Sequence, residues 1–151
     1  MNPVIILDSS PLGLLFQKNG IKESDDCRAW LKHHVGLGDE VVVPEIIHYE
    51  LRRELLRLRK TAAVKALDEF VQIVPDRLIP ITSAALNLAS ELWAIARQQG
   101  EPTAPPEAVD IDVILAAQVI LRYPIPQTYV VATSNLAHLS RFVPAEVWSK
   151  I

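Results

Sequence analysis

Four consecutive aliphatic residues, Val4-Ile5-Ile6-Leu7, run into a lone carboxylate at Asp8 and then into Ser9-Ser10-Pro11. A strand with one face in water alternates apolar and polar residues, so an unbroken aliphatic run this short predicts a strand buried on both faces. Strands of that kind belong to parallel sheets covered by helices, which restricts the chain to α/β architectures. Ser10 followed by Pro11 reads as an N-cap and a first helical position, which puts Asp8 at the carboxyl end of the strand. That edge of an open parallel sheet is where ligands bind. An aspartate there can equally serve as a helix cap, and both readings stay open at this point.

The pattern recurs along the chain. Pro11 to Lys18 is expected as a short helix closed by Asn19-Gly20. Ser24 is expected to cap the next helix, with Asp25 and Asp26 in its first turn and His33 and His34 in its last, as a helix dipole favours. That placement explains both histidines without a metal. Val41-Val42-Val43 is a second strand. Pro44 opens a helix to about Lys60 whose Ile47, Leu51, Leu55 and Leu58 form one stripe, with Glu50 beside it. Arg52, Arg53, Arg57, Arg59 and Lys60 read first as a solvated face with one-turn pairs, Glu50 to Arg53 and Glu54 to Arg57. A helical segment from Thr61 to Phe70 leads to Val71-Gln72-Ile73-Val74, the expected third strand.

Thr82 caps a helix with Leu86, Ala89, Trp93 and Ala96 on one face, ended by Gly100. The Pro-rich stretch from Glu101 to Pro106 can be neither helix interior nor central strand and is expected as an ordered loop. Asp112 then opens a helix whose Val113, Ile114, Ala116, Ala117, Ile120 and Leu121 leave it apolar nearly all round, hence buried; Asp110 is expected as its N-cap. Thr128 to Ala132 is the fourth strand, followed by Thr133-Ser134-Asn135. Strands alternate with helices throughout, which gives an α/β class with a parallel sheet covered on both faces, in a single domain over 1–151.

The net charge of −3 argues against a general charge-driven nucleic-acid binder but leaves room for a local basic patch. Only five glycines occur, and none has the spacing of a phosphate-cradling loop, which disfavours nucleoside triphosphate chemistry. No apolar run approaches the roughly 20 residues of a membrane span, and Met1-Asn2-Pro3 lacks the basic start of a signal peptide. The single Cys27 rules out an internal disulfide. A cytoplasmic protein is the simplest expectation.

Four positions share one kind of location: Asp8 after the first strand, Glu50 on the helix after the second, Asp112 at a helix start and Asn135 after the last strand. In a parallel sheet those ends converge on one edge. Carboxylates brought together repel unless a cation neutralises them, and an oxygen-only donor set suits Mg²⁺ or Mn²⁺ rather than zinc or copper. Such an ion can acidify a water and stabilise charge on a phosphate, so the expected reaction is phosphodiester hydrolysis.

At this point the residues resemble a known family. Asp8 after Val-Ile-Ile-Leu, the segment Pro44-Glu45-Ile46-Ile47-His48-Tyr49-Glu50-Leu51-Arg52-Arg53-Glu54, Asp112-Val113-Ile114-Leu115-Ala116-Ala117 and Ala132-Thr133-Ser134-Asn135 look like the four motifs of PIN domains. Their order and spacing are similar to those of VapC-type toxin ribonucleases, over nearly the whole chain. The resemblance implies a three-layer α/β/α sandwich with a central parallel sheet, PIN-like and Rossmann-like. It also implies Mg²⁺- or Mn²⁺-dependent cleavage of RNA, a homodimer, and a cognate antitoxin partner. Carried over residue by residue, Asp8, Glu50 and Asp112 match the three metal-binding acids, and Asn135 matches the fourth position, with Thr133 or Ser134 as the nearby hydroxyl. Asn135 is neutral and would hold a second ion weakly, and Asp110 adds a carboxylate two residues before Asp112, which is preferred because it directly opens the apolar run. Arg52 and Arg53 become candidates for positioning RNA phosphates. Tyr49, Trp93 and Trp148 could stack bases, with Trp93 read as core and Trp148 as an interface residue.

Two other readings stand beside the enzyme: a PIN-like module that binds RNA or an antitoxin without cutting, and a phosphatase using Asp8 as nucleophile. The latter class commonly has a second acid two residues on, where this chain has Ser10.

Overall fold

The computed structural model describes residues 2–100 and 106–151, with side chains over 2–100 and 110–151. The aliphatic run forms β1 (Val4–Leu7), followed by α1 (Ser9–Leu15) and α2 (Lys22–Gly36). Next come β2 (Val41–Pro44), α3 (Glu45–Arg57), α4 (Thr61–Ile73), β3 (Leu78–Ile79) and α5 (Ser83–Gln98). The chain ends with α6 (Pro106–Arg122), β4 (Tyr129–Thr133), α7 (Leu136–Leu139) and β5 (Ala145–Val147).

The strands form one sheet in the order β3-β2-β1-β4-β5, and every pairing is parallel. Strand β1 is central, as its composition requires: Ile5, Ile6 and Leu7 are all buried although they point to alternate faces. The same holds for Val41, Val42 and Val43, so helices cover both faces of the sheet. Successive strands run from β1 toward β3 on one side and from β4 toward β5 on the other. The strand order therefore reverses between β1 and β4, and the crevice beyond their carboxyl ends is the place where open α/β sheets bind ligands.

Several local expectations give way. The third strand is not Val71–Val74: α4 carries on through Ile73, because Val64, Leu67 and Val71 bury one face at helical spacing while Ile73 is 75 % exposed. The chain then turns through Asp76, which has φ of +63°, and the strand is the two-residue β3. Strand β5 lies outside the expected four; its three half-buried residues pair with Val131, Ala132 and Thr133 after Pro144. Ser24 is not the cap of α2, which begins at Lys22 and leaves the Ser24 hydroxyl buried without a partner among the described residues. Helix α3 starts after Pro44 and ends at Arg57, so Leu58 falls off the apolar stripe and is exposed. The Pro-rich loop falls outside the described residues except for Pro106, which opens α6.

Other expectations stand. His33 and His34 occupy the last turn of α2, where His34 Nδ1 meets Asp39 Oδ2 at 2.7 Å. Thr82 caps α5 by accepting from Ala85 N at 3.1 Å, and Gly100 follows with φ of +66°. Helix α6 is buried through its middle at Leu115, Ala116, Ala117 and Val119, and Ala85 and Ala89 of α5 pack on its Val113 and Ala117. Trp148, expected at an interface, is buried in the core at 7 % exposure and packs edge-on against Trp30. Its large ring fills space between α2 and the chain end, which removes it as a base-stacking surface.

Candidate functional site

The β1–β4 register places Leu7 beside Ala132, so the next residues, Asp8 and Thr133, are neighbours at the carboxyl edge. Thr133 is wholly buried, and its Oγ1 donates a 2.8 Å hydrogen bond to Asp8 Oδ2. The other carboxylate oxygen, Oδ1, accepts from Ser9 N at 2.8 Å. Asp8 is therefore the N-cap of α1 itself, a role expected of Ser10. Capping and site location are compatible because the side chain uses one oxygen for each partner. Ser10 Oγ instead accepts from Ser134 N at 3.0 Å, tying the start of α1 to the end of β4.

Burial pushes the Asp8 carboxyl up from its ordinary range, opposed by the bonds from Thr133 and Ser9. Asp112 is pushed up to about 7, first by burial and then by the charges of Asp8 and Glu50, with Arg141 pulling the other way. Asp112 thus feels the charges of both Asp8 and Glu50. Asp112 reaches the edge from the second turn of α6 rather than from its start. Because α6 begins at Pro106, Asp110 lies inside the helix and is exposed, not its N-cap as expected; it sits with Trp93, Leu86 and Val113 around a cavity of about 270 Å³ between α5 and α6.

Asn135 is exposed; its backbone N–H donates to Thr133 Oγ1 at 3.0 Å, and its side-chain amide lies 3.2 Å from His138 Nδ1. His138 Nδ1 is also 3.8 Å from Asp112 Oδ2. His138 and Arg141 are site residues that sequence reading missed. The available signal was His138 one helical turn after Asn135, readable only once α7 is recognised as a helix.

Arg52 and Arg53 diverge. Arg52 Nε donates to both carboxylate oxygens of Asp68, at 3.0 and 3.2 Å, and His48 Nε2 meets the same carboxylate at 2.9 Å, so this cluster fastens α3 to α4. Arg53 is exposed and lies 5.1 Å from the centre of the exposed Tyr49 ring. The expected Glu54–Arg57 pair forms on the outer face of α3.

The chemistry of the donor set suits a hard divalent cation: the charges of the Asp8 and Glu50 carboxylates both act on Asp112, with Arg141 as the opposing positive charge. Their spacing is open: among the described residues no three histidine, cysteine, aspartate or glutamate side chains are grouped so as to hold an ion.

No known protein-family description and no curated protein sequence matches this chain. Solved structures do. A chain of VapBC2 from Rickettsia felis bound to a DNA fragment from their promoter superposes with a TM-score of 0.70 at 16 % identity, covering 96 % of this chain and 98 % of that one. This chain has the same fold. DNA-bound VapBC from Salmonella typhimurium gives a TM-score of 0.70 at 16 % identity over 97 % and 98 % of the two chains. FitAcB from Neisseria gonorrhoeae gives 0.69 at 18 % identity over 98 % and 100 %. The three-layer α/β/α sandwich with a central parallel sheet, expected from the sequence, is the fold this chain shares with these structures. Among the described residues no helix is long and apolar enough to cross a membrane.

Proposed function

We propose that the protein is a Mg²⁺- or Mn²⁺-dependent endoribonuclease, the toxin of a toxin–antitoxin pair, acting in the cytoplasm as a homodimer. The reading is supported by Asp8 at the carboxyl end of β1, beside the strand-order reversal, and by the charges of Asp8 and Glu50, which after burial help push Asp112 up to about 7. Asp8, Glu50 and Asp112 would hold the ion, with Asn135 as a weak fourth donor. When bound, the ion supplies Lewis-acid stabilisation of charge on a phosphodiester and lowers the pKa of attacking water. Thr133 and Ser9 hold the Asp8 carboxylate in one orientation, His138 lies between Asn135 and Asp112, and the exposed Arg53 on α3 would meet RNA phosphates. The antitoxin partner is supported by the two-component assemblies that share the fold.

The open spacing of the carboxylates supports a second reading, a module that binds RNA or an antitoxin without cutting. One experiment separates them: purified protein is incubated with a pool of structured RNAs and Mg²⁺ or Mn²⁺, beside Asp8→Asn. Metal-dependent cleavage that Asp8→Asn abolishes supports the nuclease. Cleavage at an equal rate in the variant, or none with RNA still bound, removes it.

A further inference from the structure

His138 on α7 gives the carboxylate edge a donor of a different kind. Its Nδ1 lies 3.2 Å from the side-chain nitrogen of Asn135 and 3.8 Å from Asp112 Oδ2. An amide nitrogen only donates, so Nδ1 presents its lone pair and the ring proton sits on Nε2. The Asp112 oxygen is too distant for a hydrogen bond with that nitrogen. Two donors each about 2.1 Å from one ion can be at most about 4.2 Å apart, so Nδ1 and Oδ2 already stand within the span of a shared ion. A neutral imidazole nitrogen beside a carboxylate oxygen is also a pairing that metal sites use.

The backbone that carries this ring is held by packing. Leu139, next in the chain, is buried, and Phe142 N and Val143 N donate to its carbonyl at 2.9 and 3.1 Å. Arg141 Nε donates to the His138 carbonyl at 3.3 Å. The His138 side chain nevertheless keeps 25 % of its surface open and that of Asp112 17 %, which leaves a way in for an ion and its waters. Charge points in the same direction. Asp8, Glu50 and Asp112 bring three negative charges against the two positive charges of a divalent ion, so any further donor is best neutral. Asn135 and His138 are both neutral donors next to one another, and they differ in kind: oxygen and water suit Mg²⁺, whereas imidazole nitrogen favours first-row transition ions.

We infer that His138 Nδ1 joins Asp112 as a nitrogen ligand of the ion held at the carboxylate edge, and that this donor tilts the site from Mg²⁺ toward Mn²⁺ and the later first-row ions. The inference rests on the proposed function only in supposing a divalent ion held by Asp8, Glu50 and Asp112; it adds a ligand and a metal preference. The competing role for His138 is an ion pair, in which a protonated ring neutralises Asp112 and touches no metal. That role predicts no nitrogen on the ion.

The full chain is loaded with substoichiometric Mn²⁺, and electron spin-echo envelope modulation is recorded for wild type, His138→Gln and Asp8→Asn, beside Mg²⁺, Mn²⁺ and Co²⁺ affinities from calorimetry. The expected wild-type spectrum carries the modulation of a directly bound imidazole nitrogen, and His138→Gln loses it. Because glutamine still offers an oxygen, His138→Gln should weaken Co²⁺ binding roughly tenfold or more while moving Mg²⁺ by less than about threefold. Asp8→Asn should weaken all three ions. The wild-type spectrum needs no variant to fold, so the inference can fail on that measurement alone. Mn²⁺ bound in an Asp8-dependent way without nitrogen modulation overturns the inference and leaves the ion site standing. Nitrogen modulation that survives His138→Gln overturns it as well, since the nitrogen then belongs to another residue. Mn²⁺ binding indifferent to Asp8→Asn removes the ion from the carboxylate edge, and the proposed metal chemistry falls together with the ligand.

Discussion

Thr133 Oγ1 donates to Asp8 Oδ2 at 2.8 Å while accepting from Asn135 N at 3.0 Å, so one buried hydroxyl fixes both the first acid and the loop that carries the fourth site position. Its proton has one use and its lone pair another, and neither partner is replaceable by water at a position with no exposure. Thr133→Val removes the hydroxyl at nearly constant volume and leaves a buried carboxylate oxygen unpaired, which costs about 1–3 kcal/mol of stability. It should also lower metal-dependent cleavage by roughly 10- to 100-fold, as loss of a ligand's orienting partner does. Thr133→Ser should restore most of both. Thermal melts and rates measured on the three proteins check this.

The raised carboxyls give the metal-free protein a distinctive pH dependence. A carboxyl whose pKa rises on folding binds more protons in the folded state between its two pKa values, so unfolding free energy falls as pH rises through that window. For Asp112 the window runs from its ordinary 3.8 to about 7, and Asp8 is displaced in the same direction. The chelated protein should therefore melt higher near about pH 5 than near about pH 8. Asp68, where burial is outweighed by the bonds from Arg52 and His48, and Asp39, bonded to His34 and Asn2, are lowered instead, so they lose stabilisation only at more acid pH and do not mask the effect. Asp112→Asn should flatten the profile, and adding Mn²⁺ should raise the melting point most at the alkaline end. A melting temperature that rises monotonically from pH 5 to pH 8 in the chelated protein would overturn the assignment.

How much of this was readable in the chain depends on burial. Val4–Leu7, Val41–Val43 and Tyr129–Ala132 are legible because strands buried on both faces need continuous aliphatic runs, and no other element of that length does. Val71-Gln72-Ile73-Val74 shows the limit: its β-branched residues suit a strand, but Val64, Leu67 and Val71 already define a helical face, and packing outweighs propensity. The edge strands β3 and β5 are two and three residues long and carry no periodicity of their own. Asp8 and Asp112 stand out in the sequence as candidates because each borders an apolar run; His138, beside Asp112, does not, since it belongs to a four-residue helix.

The start of α6 at Pro106 changes what Asp110 should do. As an N-cap its loss would cost about 1 kcal/mol. As an exposed side chain within the helix, Asp110→Asn should move stability by no more than about 0.5 kcal/mol and leave cleavage intact, whereas Asp112→Asn should abolish cleavage in a folded protein. Paired melts and activity assays on the two variants test this directly. Loss of activity in Asp110→Asn with Asp112→Asn still active would exchange their roles.

Gln118 ties α6 to both α3 and β3 in a way that bears on Glu50. It is buried, its Oε1 accepts from Ile46 N at 3.2 Å, and its Nε2 donates to Ile79 O at 2.7 Å. One amide from α6 thereby bonds the first turn of α3 and the end of β3, where the chain leaves the sheet. Ile46 lies one helical turn before Glu50, so the same contact fixes the rotation of the helix that presents this acid. Gln118→Leu keeps the volume but strands a donor and an acceptor, each at about 1–3 kcal/mol, and the expected loss of stability is correspondingly large. Gln118→Glu keeps the acceptor and loses only the donor, and near neutral pH it adds a buried charge. The decisive measurement is metal affinity at a temperature where both variants remain folded: if α3 is held in place by this amide, affinity falls in Gln118→Leu, and if it is unchanged there, Glu50 is positioned by the rest of α3 packing alone.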